Sequence, residues 1–176
     1  MIRSMRVLLS TLAVLNLLAC AVVDRTPDTT FDSGAKWVLL PILNRTETPQ
    51  AGLRAEAITE AVLRTRGIVS LTRYPATLNT ETLFEPTERK VLEQALTWAR
   101  GEQARYAVTG EVDEWRYKVG IDGEPAVGVT LQIIDLKDGR VAYSGSGGRT
   151  GWSREALSAV AQKLIKDILS GARLAR

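Results

Sequence analysis

The 176-residue chain contains no histidine and a single cysteine, Cys20. Without imidazole there is no usual general base, no usual zinc ligand and no Ser-His or Cys-His nucleophile pair. One cysteine excludes an internal disulfide and a thiolate metal cluster. Charge of one sign is also missing: 23 Lys+Arg face 20 Asp+Glu, too even for a dedicated nucleic-acid binder. Taking away a leader that carries Arg3 and Arg6 leaves 21 basic and 20 acidic side chains. A membrane-spanning run is absent too. Val7 to Ala19 is uncharged but only 13 residues long, and a spanning helix needs about 20.

What is there begins with that leader. Arg3 and Arg6 form a positive n-region, Val7 to Ala19 an apolar h-region, and the stretch closes on Leu17-Leu18-Ala19-Cys20. This is the pattern of a secretory signal, and its end resembles the lipobox of bacterial lipoproteins. The resemblance implies that residues 1–19 are removed, that the Cys20 thiol takes a lipid and that the new amine is acylated. An ordinary signal peptide with an incidental cysteine is the bland alternative. Several acyl chains give stable anchoring where one is marginal. The resemblance to enterobacterial lipoproteins, in which a residue other than Asp after the cysteine directs sorting outward, implies with Ala21 that the protein goes to the outer membrane.

The mature chain divides into residues 20–35, a lipidated start and flexible tether, and residues 36–176, one periplasmic domain. Ala21 to Ala35 is polar, punctuated by Asp24, Pro27, Asp28, Asp32 and Gly34, and has no period of either kind. From Lys36 the pattern becomes regular. Trp37 to Ile42 reads as a buried strand, and Ala51 to Thr65 as a helix with Leu53, Ala57, Ile58, Ala61 and Val62 at helical spacing, stopped by Gly67. Ile68 to Leu71 reads as a short strand. A helix capped by Thr87 carries the stripe Val91, Leu92, Ala95, Leu96 and Ala99 and ends at Gly101. Tyr106 to Lys118, Val127 to Ile133 and Arg140 to Ser144 alternate as strands, with turns at Asp122-Gly123 and Lys137-Asp138-Gly139. A last amphipathic helix runs from Ser153 to Gly171. The order β-α-β-α-β-β-β-α predicts an α/β (α+β) domain, a mixed sheet flanked by helices.

Gly145 to Gly151 is rich in glycine but lacks the Gly-Lys-Ser/Thr ending of a phosphate loop, so it reads as a glycine-rich edge strand and turn. Asp113-Glu114 and Asp122 with Glu124 are the carboxylate pairs. Neighbours in a regular strand face opposite ways, so Asp113 and Glu114 do not converge unaided. Asp122 and Glu124 flank a turn. They are a solvated hairpin tip, a glycosidase-like pair, or an acidic surface that matters through oligomerisation. Trp152, outside the inward stripe of the last helix, suits either a membrane boundary or a fold-back onto the sheet. Trp37, Trp98 and Trp115 read as packing residues. No catalytic group, metal site or cofactor is expected, apart from the covalent lipid on Cys20.

Three blocks then carry a resemblance. They are Leu40-Pro41-Ile42-Leu43-Asn44 with Glu47 to Gly52, Val108 to Lys118 continuing through Asp122 to Gly128, and Gly151-Trp152-Ser153-Arg154-Glu155; Ala95 to Ala99 adds to them. The chain resembles the PelC family, outer-membrane lipoproteins of the Pel exopolysaccharide export system, over nearly the whole mature sequence. That resemblance implies a non-enzymatic protein on the periplasmic face of the outer membrane. It implies a homo-oligomeric ring, a dodecamer, that guides a partly cationic amino-sugar polymer to a PelB-type porin, with no nucleic-acid partner. Asp122, with Glu124 beside it, would face the pore and Trp152 the membrane lipid. Two other readings remain from the residues: a lipoprotein activator of a cell-wall synthase, and a periplasmic glycan hydrolase using Asp122 and Glu124.

Overall fold

The computed structural model describes residues 21–75, 78, 88–120 and 123–176; the leader, Cys20, Thr87 and Asp122 lie outside them. The elements in chain order are β1 (Ala21–Arg25), β2 (Thr29–Asp32), β3 (Trp37–Asn44), α1 (Ala51–Thr65), β4 (Leu71–Arg73), α2 (Glu88–Gly101), β5 (Tyr106–Tyr117), β6 (Pro125–Asp135), β7 (Arg140–Thr150), α3 (Leu157–Leu169) and β8 (Ala172–Ala175). Six strands form one mixed sheet in the order β1-β7-β6-β5-β3-β4. The β5-β6-β7-β1 part is antiparallel, while β3 runs parallel to both β5 and β4. The fold is therefore the expected α+β domain, with three strands added at its margins.

Alternation decides which helix covers which face. Val127, Val129, Leu131 and Ile133 of β6 share one face with Tyr106, Val108 and Val112 of β5. Against that face lie Ala51, Ala55, Val62 and Leu63 of α1 and Val160, Leu164, Ile165 and Ile168 of α3, giving the main core. Among the described residues, the other face is covered at one end. There Val38, Leu40, Ala107 and Ile134 pack on Ala95 and Ala99 of α2. Trp37 and Trp115 are buried in the main core, and Trp98 meets Tyr74 edge-on at 5.3 Å, so all three act in packing.

The segment expected to be a tether folds instead. β1 pairs antiparallel with β7, from Ala21↔Arg149 to Arg25↔Gly145, and becomes the edge strand of the main sheet. β2 pairs parallel with β8, from Thr29↔Ala172 to Asp32↔Ala175. Phe31 fixes β2: it is 2% exposed and meets Trp37, Tyr106 and Tyr143 edge-to-face at 5.7, 5.3 and 6.5 Å. Strands of four or five residues are too short to display a period, and one buried aromatic is enough to hold such a strand. The same pairing adds β8 after Gly171, where the sequence suggests only a helix end.

The glycine-rich stretch lies in β7, which is not the expected edge strand, because β1 pairs along its outer side. A Cβ on Gly147 would stand 2.7 Å from the Val22 oxygen and 3.0 Å from Leu164 Cδ1, so glycine lets β1 and α3 close on this strand. The start of the last helix also differs from expectation. Ser153 lies in a turn, α3 begins at Leu157, and its N-cap Ala156 offers no side-chain bond. Tyr117, from the end of β5, supplies an acceptor there: its hydroxyl oxygen takes the Leu157 N–H at 3.2 Å. A tertiary contact thus replaces the local cap.

Candidate functional site

The register gathers several of the singled-out residues at one end of the sheet. Ala21 lies opposite Arg149, Ala126 opposite Thr150, and Tyr117 opposite Pro125. The first residue of β1, the last of β7 and the β5–β6 hairpin therefore share that end. Cys20 itself lies outside the described residues, but it is bonded to Ala21.

Trp152 follows directly from β7 and is 59% exposed; it does not fold back onto the sheet. Its loop is pinned. The Gly151 N–H donates to the Pro125 oxygen at 2.8 Å, and the Trp152 N–H lies 3.4 Å from Glu155 Oε2. Glu155 also accepts from Lys163 Nζ at 2.5 Å, and that bond holds its carboxyl below the usual carboxylate range. On the hairpin, Lys118 donates its N–H to the Glu124 oxygen at 2.8 Å and its Nζ to Thr150 Oγ1 at 3.1 Å. Gly123 takes φ 52°, the left-handed conformation that an Asp-Gly turn provides. Glu124 is half-buried. Asp122, its expected partner, lies outside the described residues.

A second acidic group appears on β5, which alternation alone did not disclose. The β5–β6 register shifts between Val112 and Glu114, leaving Asp113 as a bulge. Because of that extra residue, Val112 and Trp115 both reach the main core although three positions apart. The bulge also turns Asp113 and Glu114 toward the same neighbour. A Cβ on Gly128 would stand 3.3 Å from Glu114 Cβ and 3.6 Å from Asp113 Cβ. The expectation that these two diverge holds for a regular strand and fails at a bulge. The apolar pair Val112 and Trp115, out of phase with alternation, was the available signal.

Asp113 lies on the open face of the sheet, with Thr130 Oγ1 3.4 Å from its Oδ2. Partial burial pushes its carboxyl up, and the nearby Glu111 carboxylate adds to the shift. Glu111 pairs with Arg45 at 3.2 Å and Glu114 with Arg116 at 2.9 Å. The acids are thus engaged with neighbouring cations and a hydroxyl. Among the described residues no group of three His, Cys, Asp or Glu is placed to hold a metal ion. No described helix is long and apolar enough to cross a membrane.

The blocks that carry the resemblance also have a structural role. Asn44 Nδ2 donates to the Thr48 oxygen at 2.8 Å, while Asn44 Oδ1 accepts from the Thr46 N–H at 3.0 Å. Thr48 Oγ1 donates to the Trp115 oxygen at 2.5 Å, tying this turn to β5. Gly52 then lets α1 approach β3, since a Cβ there would stand 2.1 Å from the Ile42 oxygen.

No family model and no curated protein matches the chain. Among solved structures, the PelC dodecamer from Paraburkholderia phytofirmans is 41% identical, covers 89% of this chain and all of its own, and superimposes with a TM-score of 0.76. A point variant of that protein, also solved as a dodecamer, matches equally. A lipoprotein from Neisseria meningitidis, at 18% identity over 77% of this chain and 96% of its own, gives a TM-score of 0.55 and shares the fold. The body described above is thus of a kind found in bacterial lipoproteins. Within that class, the chain belongs to the PelC family.

Proposed function

We propose that this protein is anchored by lipid on Cys20 to the periplasmic face of the outer membrane. There it assembles into a closed ring and guides a partly cationic amino-sugar polymer to a PelB-type export porin. The observation that carries the reading is the 41% identity, over 89% of the chain, to a protein solved as a dodecamer. The chain acts without catalysis. Its acids, Asp122 foremost and Glu124 beside it, face the channel, and Trp152 faces lipid.

The physical case for a ring is that symmetry turns one acid per subunit into a belt of negative charge, as in cation-selective pores. Such a belt attracts protonated amino sugars without holding any one of them, so the polymer keeps moving. Closure by rotation is required, because an open helical stack encloses no channel. The deciding experiment is a mass measurement on the body from Ala21 onward and on the full lipidated protein, together with polymer secretion in cells that lack the native protein. A closed oligomer and restored secretion are expected. A monomer in both forms would remove the ring.

A further inference from the structure

Gly148 is a glycine that its own subunit does not require. It sits within β7 and is not one of the glycines, Gly67, Gly123 and Gly139, that take positive φ. A Cβ placed on it would have nothing nearer than the Val127 oxygen at 3.9 Å. Gly147 beside it differs, since its missing Cβ makes room for β1 and α3. Glycine inside a strand costs stability and marks places where another backbone or a ligand comes close. Because Gly148 is exposed, that approach comes from outside the subunit.

The surface around it is flat and acidic. Gly148 lies opposite Gly128 on β6, and Thr130, bonded to Ser146 at 2.9 Å, continues the same open face. Glu111 and Glu114 are paired with Arg45 and Arg116. Asp113 and, opposite Ser146 on β1, Asp24 add exposed carboxylates. The far side of the body has the complementary character. There α1 turns Leu53, 44% exposed, and the exposed Ala57 and Ala61 outward in one row at a spacing of four residues. Arg54 beside them and Lys166 on α3 are exposed cations that, among the described residues, pair with no acid.

We infer that this open sheet face receives the outer face of α1 from a neighbouring copy of the chain, with Ala57 and Ala61 passing over Gly148 and Gly128. The inference rests on the ring proposed above and names the two surfaces that meet in it. A closed ring needs two different surfaces on each subunit, one for each neighbour. The open face and α1 meet that need, because the main core lies between the sheet and the helix. Alanines on the helix and glycines on the sheet let the two backbones come close. Charge sets the order: acids of one subunit meet cations of the next, whereas sheet on sheet or helix on helix would oppose like charges. A cationic polymer would answer the acids but leave the apolar row of α1 bare.

The test uses the full lipidated protein in detergent, in which the Cys20 thiol is consumed by lipid. Gly148→Val suits a strand and meets nothing in its own subunit. Its circular dichroism should stay unchanged while the particle mass falls to that of one subunit. An unchanged particle mass overturns the contact, and if polymer secretion nevertheless falls, the face belongs to the polymer. Ala57→Cys combined with Ser146→Cys, treated with a short bismaleimide, should give a ladder of multimers, and neither single variant should cross-link. Cross-linking by either variant alone overturns the contact, because like surfaces would then meet. An intact oligomer without a ladder also overturns it, and both results leave the ring standing. Unaltered protein that is monomeric removes the ring, and with it the inference.

Discussion

The backbone N–H of Ile42 donates to Glu56 Oε1 at 3.0 Å, across the interface between β3 and α1. Pro41 is the reason. It has no N–H, and the β3–β5 ladder slips between Leu39 and Ile42 around it. Thr109 Oγ1 donates to the Pro41 oxygen at 2.9 Å, and the buried Glu56 receives the displaced N–H. The other oxygen of the same carboxylate accepts from Arg73 Nε at 2.9 Å and Nη2 at 2.5 Å. One side chain thus joins α1, β3 and β4.

Glu56→Ala leaves a buried N–H and part of the Arg73 guanidinium without an acceptor, which costs about 2–3 kcal/mol. Glu56→Gln keeps an acceptor for Ile42 and loses the charge, so it should fall between the two. Urea unfolding of the soluble body measures both. Equal stability of all three proteins would show that solvent replaces the carboxylate.

Phe31→Ala separates a folded β2 from a tether. Truncating a buried phenylalanine costs about 3–5 kcal/mol, and residues 21–35 should become accessible to protease. A tether would show neither change. Limited proteolysis with thermal unfolding reads the outcome.

Asp113→Asn should raise stability at neutral pH. The wild-type carboxyl has a folded pKa above its unfolded value because of burial and Glu111. Its charged form is therefore disfavoured by folding, a penalty fully present above the folded pKa. The penalty fades as pH falls through that value and is gone below the unfolded one. The variant's advantage in melting temperature should accordingly be present at pH 7 and absent near pH 3. A constant offset across that range would assign the effect to packing.

Cys20→Ser should abolish lipid attachment and leave an unprocessed precursor, because a hydroxyl does not replace the thiol in lipoprotein maturation. Fatty-acid labelling with membrane fractionation checks it. A labelled, processed variant would refute the lipobox reading.

Asp122→Asn should permit folding and assembly but reduce polymer secretion, and Asp122→Lys should reduce it further. In one subunit this charge is screened within about 8 Å at physiological salt. In a ring, copies facing a narrow channel add their fields. Glu124→Gln should have the smaller effect. Wild-type secretion from Asp122→Lys, with rings intact, would return the acid to a solvated turn.

The centre of the fold was legible because its signals are long. The eleven residues of β6 alternate with few exceptions, and the apolar period of α1 marks a helix of four turns. It does not mark the covered face: Leu53, Ala57 and Ala61 are exposed, whereas Ala51, Ala55, Val62 and Leu63 are buried. The margins were not legible, because β1, β2 and β8 have four or five residues each and take their order from partners far along the chain. The same holds at Leu157, where Tyr117 replaces the local cap that Ser153 suggested. Of the candidate site, Trp152 could be singled out because it fell outside a helical stripe. Asp113 and Glu114 were named as a pair but read as diverging, because a bulge breaks the rule by which strand faces are read.

The β2–β8 pairing sets a clock. Thr29 to Asp32 find their partners only when Ala172 to Ala175 exist. Until then Phe31 has no strand to hold it over the aromatic cluster, and the edge-to-face contacts with Trp37, Tyr106 and Tyr143 lack their fourth member. Pairings so distant in sequence form late, after the local hairpins of β5, β6 and β7. A chain that emerges amino end first would therefore keep this early segment open until its carboxyl end appears, and folding would finish by closing one of the first strands onto the last.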